Sequence, residues 1–90
     1  IGSITMCKSV MVVCEDAGPV CDYVTQALGR GATVSHARGA YTGAEQSIVF
    51  TTLTRRQANQ LRMYIRQNAL PAFITMSSTV DVFGRGFASV

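Results

Sequence analysis

The sequence predicts an α+β fold of the ferredoxin-like βαββαβ type. It forms a single domain over residues 1–90 with a core at about 8–87. Three observations carry this prediction. Ser9–Cys14 (SVMVVC) is apolar at both alternating sets of positions, as in a strand covered on two sides. Two strand-like runs, Ala32–Ala37 and Gln46–Leu53, follow one another with only a bend between them. Segments with apolar residues at helical spacing follow the first and third of these runs. The resulting order is the split βαβ plan. Right-handed crossovers place the first and third strands at the centre, the other two at the edges and both helices on one sheet face, giving a four-stranded antiparallel sheet.

Each element has a local reason. Glu15-Asp16-Ala17-Gly18-Pro19 turns out of the first strand, and Pro19 suits a first helical turn, where its missing N–H does no harm. Val20, Val24 and Leu28, with Tyr23 and Ala27, form the buried stripe of a helix over about Pro19–Leu28. Gly29 ends that helix because glycine accepts the left-handed cap. Ala32–Ala37 mixes Val34 with Thr33, Ser35 and His36 and suits an edge, whereas Gln46–Leu53 carries Ile48, Val49, Phe50 and Leu53 and suits the centre. Thr54-Arg55-Arg56-Gln57 is a capping box. Ala58, Leu61, Tyr64 and Ile65 give the second helix its apolar stripe, while Arg55, Arg56, Arg62 and Arg66 fall mostly off it, as a solvated face or an anion or membrane-surface patch. Pro71 ends this helix by disfavouring helical geometry at Leu70. Ala72–Phe83 is the last strand. In it Ile74, Met76, Val80 and Val82 alternate with Thr75, Ser77 and Asp81, a bulge is expected at Ser77-Ser78-Thr79, and Gly84-Arg85-Gly86-Phe87 closes the domain.

The composition bounds the function. A domain of this size buries roughly 60% of its unfolded surface. An apolar content of 48% with mean hydropathy +0.24 is high for such a chain, so part of the apolar surface is expected against a partner. The two helices leave one sheet face uncovered although the first strand is apolar on both sides, so a homo-dimer or trimer is expected. A net charge of +3 from Lys8 and seven scattered arginines is not a nucleic-acid footprint, and no nucleic-acid partner is expected. No stretch reaches the ~18 apolar residues of a membrane helix. Because the chain starts at Ile1, it is read as a domain of a longer protein whose membrane segment could lie upstream. Cys7, Cys14 and Cys21 lack the short C-x-x-C steps of zinc and iron–sulfur sites. They are read as small buried hydrophobes, with no metal or cofactor expected.

Enzymatic readings find little support, and no catalytic residue is assigned. His36 is the only histidine and stands on an edge strand without a partnered nucleophile. The five carboxylates are scattered, and Glu15-Asp16 fits a helix entry better than an acid pair. An acylphosphatase-like use of this fold needs an arginine in Glu15–Pro19, which has none. The third strand lacks the basic–aromatic signature of RNA recognition.

The bend between the two middle strands is the candidate site. Gly39 and Gly43 bracket Tyr41 and Thr42, and Arg38 stands beside them. Backbone N–H groups and an arginine suit an anion, and the tyrosine ring suits stacking. The alternative is a loop that only turns the chain, with Tyr41 packed on the sheet.

The sequence resembles the C-terminal cytosolic domain of unknown function of YitT-type bacterial multipass membrane proteins. The residues that carry the resemblance are Gly29-Arg30-Gly31 with Thr33, Gly39-Ala40-Tyr41-Thr42-Gly43, Arg55-Arg56, Pro71-Ala72-Phe73-Ile74 and Gly84-x-Gly86-Phe87, within a match from about Lys8 to Phe87. It implies a membrane domain in the same full-length chain, a place at the cytoplasmic face of the bacterial plasma membrane, and a PII-like variant of the ferredoxin fold. PII-like proteins bind ligands near the corresponding bend and the subunit cleft. The resemblance supplies no catalytic residues. The chain departs from the family at Gln57 and Arg85, where acidic residues are usual. Two functions are therefore expected from different classes: a regulatory domain sensing a small anionic ligand such as a nucleotide, or a structural oligomerisation module for the membrane subunits.

Overall fold

The computed structural model describes residues 7–79. Four strands form one antiparallel sheet: β1 (Cys7–Cys14), β2 (Thr33–Arg38), β3 (Glu45–Thr54) and β4 (Ala72–Thr79). Their spatial order is β2-β3-β1-β4, with β1 and β3 central as predicted. Helix α1 (Gly18–Asp22) continues as a π-helical turn over Tyr23–Ala27, and α2 spans Arg55–Gln67. The βαββαβ order is the predicted one.

The core lies between the sheet and the helices. Val10, Val12 and Cys14 of β1 and Val49 and Leu53 of β3 meet Val20 and Val24 of the first helix and Ala58, Leu61 and Ile65 of α2. Fully burying a valine or leucine contributes roughly 1.5–3 kcal/mol, and Val10, Val12, Val20, Val24, Val49, Leu53 and Leu61 are all below 2% exposed. Tyr23 and Tyr64 stack face to face at 4.2 Å between ring centres, which joins the two helices at the edge of this core.

Two sequence expectations are corrected. The first helix is not α-helical throughout. The Thr25 hydroxyl donates to the Cys21 carbonyl at 2.8 Å, the acceptor an α-helix would give to the Thr25 N–H, and such back-bonding competes with the backbone ladder. The turn widens, Leu28 N–H donates five residues back to Tyr23, and Ala27, expected on the buried stripe, is exposed. The bulge expected at Ser77-Ser78-Thr79 is absent. These residues pair in unbroken register with Ser9, Lys8 and Cys7, and Lys8 Nζ donates to the Ser78 hydroxyl at 3.0 Å. Val80–Phe83 and the closing Gly84–Phe87 lie outside the described residues, as does Arg85.

The chain reversals follow their local chemistry. Gly29 has φ +68°, the left-handed cap the sequence predicted. At the start of α2 the Thr54 hydroxyl accepts from Gln57 N–H at 3.2 Å. In return, Gln57 Oε1 accepts from Thr54 N–H at 3.0 Å, which completes the capping box.

Candidate functional site

The β2–β3 bend is built by its own hydrogen bonds. Gly39 N–H donates to the Ala44 carbonyl at 2.9 Å and Gly43 N–H to the Gly39 carbonyl at 2.7 Å. The Thr42 hydroxyl accepts from Ala44 N–H at 3.2 Å. Gly43 has φ +74°, which a side chain would strain. The amides of Gly39 and Gly43, which the sequence offered to an anion, are thus committed to closing the loop. A Cβ at Gly39 would meet the Thr42 hydroxyl at 3.2 Å, a tight contact from which Thr42 would have to give by a few tenths of an ångström. The bend presents outward the Tyr41 ring and the exposed Arg38 side chain, which stands opposite Glu45 in the ladder. Tyr41 is fully exposed. It does not pack on the sheet, so packing does not account for an aromatic residue there.

A second surface lies on the sheet face away from the helices. Antiparallel partners share a face, so the register places Phe50 beside Met11, and Ile48 beside Val13, which is itself beside Phe73. Met11, Val13 and Ile48 are half-buried, while Phe50 and Phe73 are 44% and 65% exposed. Ser9, Thr33, Thr52, Thr75 and Ser77 surround this apolar row. A cleft of about 320 Å³ beside Phe50 is lined by Ser9, Gly31, Thr33, Thr51 and Thr52. The Thr51 hydroxyl donates to the Gly31 carbonyl at 2.8 Å there, fixing the entry to β2. A smaller cleft of about 190 Å³ lies between Cys14, Asp16, Pro19 and Leu70. No bend residue lines either cleft.

The sequence showed the two-sided character of β1 but missed Phe73 as part of this row. Its only local signal was the spacing of two from Thr75 and four from Ser77, polar positions that share its face. The sequence also missed how much Gln57 holds. Beyond the capping box, its Nε2 donates to the Leu28 carbonyl at 3.2 Å and its Oε1 accepts from Arg30 Nε at 3.2 Å. A neutral amide can donate and accept at once. A carboxylate at this position could not donate to Leu28, so Gln57 ties the end of the first helix to the start of α2.

The thiols fit a packing role. Cys14 is buried and donates weakly to the Ser47 carbonyl at 3.8 Å, while Cys21 is half-buried. Burial raises both thiol pKa values, and neighbouring acidic groups raise them further, Cys21 and Asp16 at Cys14 and Asp22 at Cys21. Nucleophilic thiols need the opposite shift. Among the described residues, no cluster of three or more histidine, cysteine or acidic side chains could hold a metal, and His36 is exposed on β2.

The family model described as "Uncharacterized protein conserved in bacteria (DUF2179)" matches residues 30–84, more than half of the chain. The chain belongs to the DUF2179 family. The resemblance read from the glycine-rich bend and its flanking motifs is borne out. Two curated relatives from Bacillus subtilis (strain 168) carry the domain. The UPF0750 membrane protein YxkD is 28% identical over 83 residues, covering 92% of this chain and 30% of that protein. The UPF0750 membrane protein YvjA is 25% identical over 80 residues, covering 89% of this chain and 28% of that protein. This DUF2179 chain therefore spans less than a third of the length of the curated relatives it matches. The crystal structure of a DUF2179 protein from Eubacterium ventriosum superposes with a TM-score of 0.60 at 20% identity, covering 78% of this chain and 97% of that one, and shows the same fold. No helix of the described residues is long and apolar enough to cross a membrane.

Proposed function

We propose that this DUF2179 chain is a non-catalytic regulatory domain attached to a bacterial membrane protein, and that it works as a homo-oligomer. Its relatives' membrane-protein names support the attachment, and the resemblance to YitT-type proteins supports a place at the cytoplasmic face. The observation that carries the reading is the uncovered row of Met11, Val13, Ile48, Phe50 and Phe73. Apolar side chains aligned across three strands gain by leaving water, and further copies of the chain are the proposed cover. Sedimentation at micromolar concentration tests this: a dimer or trimer is expected, and a monomer throughout would overturn it.

The ligand-sensing part of the reading rests on the bend. A fully exposed Tyr41 three residues from Arg38, on a loop closed by its own hydrogen bonds, suits a flat anionic ligand such as a nucleotide. A saturating ligand stabilises the fold by about 2.7 kcal/mol at a hundredfold excess over Kd. A thermal-shift screen of nucleotides and small anions should return such a ligand. Tyr41→Ala with Arg38→Ala should abolish its effect while leaving the unliganded melting temperature in place. A screen that shifts nothing would favour a structural oligomerisation module.

A further inference from the structure

The outward face of α2 carries charge that no carboxylate among the described residues is seen to pair with. Ala58, Leu61 and Ile65 point into the core, whereas Arg55, Arg56, Arg62, Arg66 and Met63 are exposed. At about 100° per residue, Arg55, Arg62 and Arg66 fall within a strip of roughly 40°, with Met63 about 80° and Arg56 about 100° round the helix from its centre. Half of the chain's eight basic residues thus sit on one helix, and none of its five carboxylates does. Helix stability accounts for Arg66, which sits in the last turn where positive charge suits the dipole, but not for Arg55 and Arg56. Arg55 and Arg56 occupy the first turn, which contains no acidic residue, and positive charge there opposes the helix dipole.

We infer that this face of α2 docks on the anionic phospholipid surface of the bilayer that holds the rest of the chain. The inference rests on the proposed attachment to a membrane protein. The relatives' membrane-protein names and the length they carry beyond this domain keep such a surface within reach. Charge complementarity selects the occupant. Guanidinium groups bind lipid phosphates in a two-pronged geometry, and Met63, 48% exposed on the side of α2 that runs from the arginine strip to Arg56, offers an apolar side chain to the headgroup boundary. Nucleic acid fits less well. No aromatic ring stands among the arginines for bases to stack on, because Tyr64 is half-buried against Tyr23. The helix layer lies on the opposite side of the sheet from Met11 and Phe73, so docking and self-association use different surfaces.

Co-sedimentation of the 90-residue chain with lipid vesicles tests the inference. Binding is expected to vesicles of phosphatidylglycerol with phosphatidylcholine and not to phosphatidylcholine alone, and it should weaken as salt rises. Each arginine near an anionic surface contributes about fivefold. Arg55→Gln, Arg62→Gln and Arg66→Gln together should therefore weaken binding by well over tenfold, with circular dichroism and sedimentation unchanged. Four results would overturn the inference: no binding of the wild type to anionic vesicles, equal binding to neutral vesicles, a triple variant that binds like wild type, or tighter binding to duplex DNA or single-stranded RNA than to anionic vesicles. Sedimentation without lipid reads self-association separately, so failure of one reading is not mistaken for failure of the other.

Discussion

Val12 and Val13 are neighbours in β1 and meet opposite surroundings. Val12 is fully buried under the helices, among Val49, Leu53 and Leu61. Val13 faces away from them, between Ile48 and Phe73, and stays partly in water. The strand invests apolar residues equally in both faces, yet the described fold covers only one. The covered face explains why the domain folds. The uncovered face has no such account among the described residues, and a partner is proposed to complete it.

Substitutions on the two faces should separate these roles, and the largest effect belongs to the covered one. Leu61→Ala leaves a cavity where a side chain is 0% exposed and should cost about 2–5 kcal/mol, read as a lower urea midpoint. Phe73→Ser on the open face should cost under about 1 kcal/mol in protein diluted to the monomer, since its ring is mostly in water already. If the two variants lost stability equally, the open face would be core and the comparison would fail.

The next effect concerns the seam between the two helices. Gln57→Ala removes bonds to Thr54, Leu28 and Arg30 at once and should cost about 2 kcal/mol, with each hydrogen bond worth roughly 0.5–1.5. Thr54→Ala removes only the hydroxyl cap and should cost about 1 kcal/mol. Chemical denaturation of both variants orders them. An unchanged midpoint for Thr54→Ala would remove the cap from the account, and equal losses would confine Gln57 to the capping box.

A smaller effect is read through pH. Burial holds the Cys14 and Cys21 thiols above their ordinary pKa. The folded state therefore keeps its protons where the unfolded chain has released them. The stabilisation is complete below the unfolded-state value and is lost as pH rises through the raised folded-state values. Stability should fall in the alkaline range, and Cys14→Ala with Cys21→Ala should flatten that fall. A variant whose alkaline slope matches wild type would remove the thiols from the account.

Much of the fold was legible because its signals are local. The strand at Ser9–Cys14, the capping box at Thr54 and Gln57 and the left-handed stop at Gly29 each act within a few residues, and the structure bears out all three. The π-helical turn was not legible, because it depends on whether Thr25 bonds back to Cys21 or turns to solvent. The row from Phe50 to Phe73 was not legible either. It exists only once β1 aligns β3 and β4 across more than twenty residues of intervening chain, and no single strand shows it. At the bend, the composition Arg38, Gly39, Tyr41, Thr42 and Gly43 was visible. The closure of the loop by the Gly39 and Gly43 amides was not, since it depends on the backbone path that Gly43 takes.

The open sheet face is proposed as a contact between copies of this chain. Sedimentation velocity across the micromolar range, on wild type and on Phe50→Ser with Phe73→Ser, tests it most directly. The account predicts a concentration-dependent dimer or trimer for wild type and a monomer for the double variant, with the same circular dichroism. A wild type that stays monomeric, or a double variant that assembles like wild type, would contradict it.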